Sequence, residues 1–224
     1  MVRSSVRLAL DFCSETLGVA LHARSGVEPV FIVEARGSSL GRVTRMLKRA
    51  LEHEGVGVRD LHEVVLATGP GRLMGIKVSH AFAYGLKEAT SQVALYGMNR
   101  LDALSTLLPN DQGGWVVLGS HGKAAIASGY TPSGGVLLRR AEPVVGLKEN
   151  LLELVGQEPC VSDLCDFSRL PRVSVLEPEE VTRIILRRLV SGEDCALYFS
   201  KDPEPCFFRP FMSLGQSGKE RVVF

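Results

Sequence analysis

Short apolar runs of the strand type open the chain and are separated by small or polar residues. They are Val6–Leu10, Leu17–His22 and Pro29–Val33. Three such runs at short spacing predict an antiparallel meander. Segment 39–54 then carries apolar residues on one helical face, and residues 74–88 return to the same spacing. The first half therefore begins as a three-stranded sheet and continues with helices.

Strands continue between and after these helices. Val64–Ala67 is apolar throughout and predicts a strand buried on both faces. Val93–Gly97 predicts another strand, and Asn99 is placed to cap a helix that runs to Leu108. The order β-β-β-α-β-α-β-α predicts an α/β fold in which helices cover a mixed sheet.

The second half restarts this pattern in shortened form, with β-type runs at 115–118, 124–130 and 136–139 and turns between them, the second at Thr131–Gly135. A helix at 147–155, strands at 158–162 and 173–176, and a helix from Pro178 follow. We therefore predict two subdomains, 1–108 and 109–224, with a linker at 109–114 and a flexible tail.

Composition narrows the classes of function. The formal charge is +1 and hydrophobic residues make up 45 % of the chain, so nothing in the whole-chain charge favours nucleic acid or a membrane surface. No apolar stretch is long enough to span a bilayer. The five cysteines form no Cys-x-x-Cys pair, which predicts a reduced, cytoplasmic setting. The histidines lack metal-ligand spacing, so no metal site is expected.

The most informative motif is the run Gly69-Pro70-Gly71-Arg72-Leu73-Met74-Gly75-Ile76-Lys77. A glycine-rich turn between a strand and a helix can bring backbone N–H groups to a phosphate, and Asp11, at the end of the first strand, could hold a metal-bound phosphate. The same residues also suit a tight turn and a turn cap. Asp11, Gly69 and Gly71 are therefore candidates for a degenerate phosphate site.

Catalytic residues are not predicted. There is no Gly-x-Ser-x-Gly nucleophile elbow, and Gly119-Ser120-His121-Gly122 is interpreted as a hairpin turn. Arg42, Arg45, Lys48 and Arg49 share one face of the first helix. This face either steers RNA phosphates or an acidic partner, or is simply a solvated helix face.

The helix at 74–88 is apolar on more than one side, which predicts that one face meets the sheet and another meets a partner chain.

Several segments together resemble the bacterial TsaB (YeaZ) family, the scaffold subunit in the synthesis of threonylcarbamoyladenosine at position 37 of tRNA. Leu8–Ser14 and Gly18–Leu21 resemble its opening strands, and Gly69–Lys77 resembles its Gly-Pro-Gly-Ser-Phe-Thr-Gly-Leu-Arg hallmark. Gly97–Leu104 is similar to its Gly-x-Ser-Ser-Leu-Glu-Ala-Leu segment, and Leu197–Lys201 faintly echoes a late family strand.

The resemblance implies the actin/Hsp70/sugar-kinase superfold, with two β-β-β-α-type subdomains of which the second is shortened. It further implies a non-catalytic subunit that pairs with the catalytic paralogue TsaD, works with the ATPase TsaE, dimerises when alone and contacts tRNA indirectly or weakly. The family pairs through its first two helices, which here implies an interface made of Leu40, Val43, Leu47, Met74, Val78, Ala81, Phe82 and Tyr84.

This chain departs from the family at Phe12, Ser39, Arg72, Met74 and Lys77, and each change removes a group able to touch phosphate or metal. No cofactor is therefore expected, although ATP stays open. The alternative is an ATP-binding phosphotransferase or ATPase of the same superfold. A peptidase of the M22 glycoprotease type ranks last, because neither a metal pair nor a nucleophile–base pair is apparent.

Overall fold

The computed structural model describes residues 5–23, 27–35, 40–90, 92–120, 122–191, 200–201 and 203. Within these ranges the strands are β1 (Val6–Asp11), β2 (Thr16–His22), β3 (Val30–Ala35), β4 (Leu61–Ala67), β5 (Ala94–Met98), β6 (Gly114–Gly119), β7 (Ala124–Ser133), β8 (Val136–Arg139), β9 (Val144–Leu147), β10 (Cys160–Ser162), β11 (Val173–Val175) and β12 (Ser200–Lys201). The α-helices are α1 (Leu40–Glu54), α2 (Leu73–Thr90), α3 (Arg100–Ser105), α4 (Lys148–Val155) and α5 (Pro178–Ser191).

The first unit contains the described residues between 5 and 103 and between 177 and 203. Its six-stranded sheet has the order β12-β5-β4-β1-β2-β3. The predicted meander is present, since β1, β2 and β3 pair antiparallel, and β1, β4 and β5 pair parallel. Because α1 and α5 both pack on β2, the central strands are buried on both faces and are apolar nearly throughout.

The second unit contains the described residues between 104 and 176. Its sheet has the order β11-β10-β6-β7-β8, and β9 pairs with β7. The strands β6, β10 and β11 are parallel, and the β6–β7–β8 meander is antiparallel. Helix α4 covers a small core that includes Val117, Leu151 and Phe167. The predicted repetition of the first unit's plan in shortened form is present.

The predicted boundary near residue 108 differs from the division in the structure. The break falls at 103–104, so the predicted linker 109–114 lies inside the second unit and forms a turn in which Gly113 donates to the Pro109 carbonyl (2.8 Å). Helix α5 clusters with the first unit, where Leu186 reaches the bare backbone of Gly18. Periodicity predicts the helix and its buried stripe, but it carries no information on which sheet receives that stripe.

Two element predictions are corrected, and one strand is added. Helix α3 ends at Ser105, because Leu107 and Leu108 bond three residues back in the approach to Pro109, where an α conformation is disfavoured. Segment Thr131–Ser133 continues β7, and only Gly134-Gly135 turns, with φ of 59° and 85°. Strand β9 was not predicted.

Other sequence predictions fall on residues outside the described ranges: His121 of the predicted hairpin turn, residues 197–199 of the late family segment and the flexible tail. Among the residues that the structure does describe, no helix has both the length and the hydropathy needed to cross a bilayer.

We predict that Leu186→Ala destabilises the protein by about 2 to 5 kcal/mol, because its side chain is fully buried against β2 and its loss leaves a cavity. Leu154→Ala is the control, since Leu154 is 42 % exposed and its truncation should change stability by less than about 1 kcal/mol. Urea denaturation measures both, and equal effects would contradict the packing of α5 on this sheet.

A second prediction concerns pH and the second unit. Arg140 binds both carboxylate oxygens of Glu158 (3.1 and 2.5 Å) while lying over the Trp115 ring, and this hydrogen bonding lowers the pKa of Glu158. A lowered folded-state pKa stabilises the protein above the unfolded pKa, and this contribution is lost as pH falls through the folded value.

Glu158→Gln should therefore lower the thermal midpoint slightly at pH 7, by roughly 1 to 3 °C for a half-exposed pair, and this difference should shrink as the pH falls through the folded pKa of Glu158. Glu153→Gln, an exposed residue of α4, is the control for loss of one negative charge. A midpoint loss that persists undiminished at pH 3 would mean that the ion pair does not cause it.

Candidate functional site

The candidate phosphate residues meet in the first unit, where β1 ends beside the turn between β4 and α2. Asp11 is fully buried, and its Oδ1 accepts a hydrogen bond from the Cys13 N–H (3.0 Å). The carboxylate therefore caps the turn that follows β1, as the simpler of the two interpretations predicts.

The Gly-Pro-Gly turn lies directly against the backbone after β1. The Gly69–Pro70 peptide bond is cis, and the Arg72 N–H donates to the Cys13 carbonyl (2.7 Å). A Cβ on Gly71 would lie 2.1 Å from the Cys13 carbonyl oxygen, and one on Gly75 would lie 1.9 Å from that of Phe12. Glycine is required at both positions because the two backbones touch. The turn's amide at Arg72 is therefore already bonded to the protein itself.

Arg100, the first residue of α3, connects these segments. Its Nε donates to Asp11 Oδ2 (3.3 Å), its Nη1 donates to the Pro70 carbonyl (3.0 Å), and its own N–H donates to the Gly69 carbonyl (2.7 Å). The side chain is 2 % exposed. Sequence reasoning missed Arg100, although the family resemblance offered a signal, because arginine stands where the family has serine.

Neither buried thiol of the described chain suits nucleophilic chemistry. Burial, and next the Asp11 carboxylate, raise the pKa of Cys13, and burial raises the pKa of Cys160 to about 12. Both are therefore protonated at neutral pH, whereas the thiolate is the reactive form. Among the described residues, no group of three His, Cys, Asp or Glu side chains could share a metal ion.

A cluster of three hydroxyls also escaped sequence reasoning. Ser14 Oγ lies 3.0 Å from Thr16 Oγ1 and 3.1 Å from Thr182 Oγ1, and the two threonines bond to each other. The cluster joins the start of β2 to the N-terminal part of α5. Ser14 and Thr182 are 168 residues apart in the sequence, so no local pattern predicts that they meet.

Helix α2 carries two apolar faces, as predicted. The inward face includes Ile76 and Ala83, which are buried against the sheet. The opposite side exposes Met74 (61 %) and lines a groove of about 460 Å³, formed by Lys77, Val78, Ala81, Phe82, Gly85 and Leu86. Gly85 has open space around its Cα, so a neighbouring helix could approach the backbone closely there.

Only some of the candidate interface residues are exposed at the surface. Met74 and Ala81 are exposed on the outer side of α2, whereas Val78 and Phe82 are half-buried and also pack against the core of the first unit. Tyr84 is exposed, and its hydroxyl donates to the Pro203 carbonyl (3.4 Å). Val43 and Leu47 differ from the prediction, because both pack into the core of the first unit at 2 % and 5 % exposure. The side chain of Leu40 lies outside the described set.

The basic face of α1 is largely paired within the chain. Arg42 donates to the Ala35 carbonyl (2.9 Å), Arg49 pairs with Glu34 (2.8 Å) and Lys48 pairs with Glu52 (3.6 Å). These contacts reduce the charge that the face offers to a polyanion, which favours the solvated-face interpretation.

A comparison with known protein families identifies the family to which this chain belongs. The family model for TsaD, described as tRNA N6-adenosine threonylcarbamoyltransferase, matches residues 22–148, more than half of the chain. The chain belongs to the TsaD family. The match includes the Gly-Pro-Gly turn, Arg100 and the whole of α2.

Curated TsaD relatives match over a shorter region. Two tRNA N6-adenosine threonylcarbamoyltransferases, both from strains of Cereibacter sphaeroides, are 36 % identical over 83 residues, which is 37 % of this chain and 22 % of theirs. The chain thus spans about a fifth of the length of the curated TsaD-family relatives that it matches.

Solved structures show the fold. YeaZ from Pseudomonas aeruginosa superposes with a TM-score of 0.65 at 16 % identity, covering 91 % of this chain and 100 % of that one. An uncharacterized protein described as similar to the peptidase YeaZ from Pseudomonas aeruginosa superposes with a TM-score of 0.66 at 16 % identity. The superposition covers 92 % of this chain and 100 % of that one. The predicted fold class is confirmed, and this member of the TsaD family has the YeaZ fold.

We predict that Gly75→Ala destabilises the protein by about 3 kcal/mol or more, because the new methyl group overlaps the Phe12 carbonyl oxygen. Gly85→Ala, on the same helix but in open space, should stabilise it by up to about 1 kcal/mol. Chemical denaturation measures both, and similar effects of the two substitutions would contradict the close approach of the backbones.

Proposed function

We propose that this chain is a non-catalytic scaffold subunit of the YeaZ (TsaB) type, acting in the formation of threonylcarbamoyladenosine in tRNA. Membership in the TsaD family and the YeaZ fold support a role in this modification. In this proposal the catalytic step belongs to a TsaD-type paralogue.

The observation that carries the proposal is the outer face of α2. A long helix that buries one face against its own sheet, exposes Leu73, Met74 and Tyr84, and leaves Val78 and Phe82 half-buried beside an apolar groove fits a surface that another chain covers. The groove along Ala81 and Gly85 suits a partner helix that packs at short interaxial distance.

The partner in this proposal is the TsaD-type paralogue, joined by a TsaE-type ATPase, and a second copy of the chain uses the same face when the paralogue is absent. Contact with tRNA is indirect or weak, in keeping with the paired charges on α1. A cytoplasmic location agrees with Cys13, Cys160 and Cys165, which are free thiols.

The first experiment mixes the purified chain with the TsaD-type protein of the same organism at micromolar concentration and measures binding by calorimetry and sedimentation. We expect a defined heterocomplex with wild-type protein. Ala81→Glu should weaken it at least tenfold, because it places a carboxylate in the apolar groove.

Leu154→Glu is the matched control, since it adds the same charge at an exposed apolar residue of α4 and should bind like wild type. Circular dichroism establishes that both variants are folded. Absence of any complex with wild-type protein would overturn the scaffold proposal, and a complex equally tight with Ala81→Glu would overturn the assignment of the interface to α2.

A further inference from the structure

The superfold implies a site for a nucleotide and its metal ion at the end of β1, and the residues of this chain do not fit one. The carboxylate that would face a cation is Asp11, and the Arg100 guanidinium is already bonded to it at 3.3 Å. Both side chains are removed from solvent. A positive charge therefore already occupies the position beside Asp11 where a bound metal ion would have to lie.

The anion side of the site is also closed by the chain itself. The Arg72 N–H, at the entry to α2, donates to Cys13, and the bare Gly71 backbone touches the same carbonyl. A phosphate needs unsatisfied N–H groups and a space in front of them. Here, the carbonyl of Cys13 fills that space in front of the turn.

We propose that Arg100 is a resident cation, a side chain that takes the place of a metal ion against Asp11 in the first unit. Its guanidinium joins the end of β1 to Pro70, and its N–H joins α3 to Gly69. One residue therefore ties together three segments that a metal-bound nucleotide would otherwise have to bridge. This inference goes beyond the scaffold proposal and does not depend on it.

Arginine suits this position because its planar guanidinium donates in several directions from one fixed plane, whereas a lysine ammonium is a point charge on a flexible stem. The charge balance explains why the site tolerates burial. Removing one partner of a buried ion pair leaves an uncompensated charge, but replacing both with neutral groups of similar size is often close to neutral.

The test uses the full chain and four variants: Arg100→Ala, Arg100→Lys, Asp11→Asn with Arg100→Ala, and Asp11→Asn with Arg100→Met. Thermal midpoints are measured in EDTA, with millimolar MgCl2, and with MgATP. Wild-type protein should show the same midpoint in all three, because no site is open to either ligand.

Arg100→Ala should melt roughly 10 °C lower in EDTA, because it leaves the buried Asp11 carboxylate without a counter-charge. MgCl2 should restore part of that loss, since a divalent cation can enter the vacated position beside the carboxylate. The same substitution combined with Asp11→Asn should gain nothing from MgCl2, and Arg100→Lys should melt between wild type and Arg100→Ala.

The double variant Asp11→Asn with Arg100→Met removes both charges and nearly keeps the side-chain volume, so it should melt within about 4 °C of wild type. It keeps the test decisive if Arg100→Ala does not fold. A rise of the wild-type midpoint with MgCl2 or MgATP would overturn the proposal, as would an unchanged midpoint of Arg100→Ala in EDTA. Binding of Asp11→Asn with Arg100→Met to the TsaD-type partner is measured separately. This measurement distinguishes failure of the Arg100 proposal from failure of the scaffold proposal.

Discussion

The first unit depends on one close contact between two stretches of backbone. The residues after β1, Phe12 and Cys13, touch the turn before α2 at Gly71 and the first turn of α2 at Gly75, with no side chain between them. This contact fixes where α2 begins and how it lies on the sheet. It therefore also fixes which side of α2 is buried and which side, with Met74 and Ala81, is left facing outward. A glycine motif that in isolation suggests phosphate binding here orients a helix.

The features that sequence predicted well are those with local causes. The meander β1–β3, the helices α1 and α2 and the cap by Asn99, whose side chain accepts from Leu101 N–H at 2.9 Å, follow from periodicity and turn chemistry over a few residues. The glycine run also placed the candidate site at the end of β1. These predictions required no knowledge of what lies across the sheet.

The features that sequence could not supply come from contacts between distant residues. Val43 and Leu47 are apolar on one helical face whether that face meets the chain's own core or a partner, so their pattern could not separate the two. Arg100 lies 89 residues from Asp11, and a buried arginine looks in the sequence like any surface arginine. Helix α5 has a clear apolar stripe, but its sequence does not indicate which of the two sheets that stripe covers.

The return of α5 to the first unit has a consequence for how the protein is made. Residues 104–176 are inserted between two parts of the first unit, and β2 packs against a helix that ends at Ser191. A ribosome that adds about 5 to 20 residues each second needs several seconds to add this insertion and the helix. Throughout that interval the apolar surface of β1 and β2 that α5 will cover has no partner from its own chain. The emerging polypeptide therefore exposes apolar strand surface, which favours aggregation, between the synthesis of the sheet's inner strands and that of its last helix.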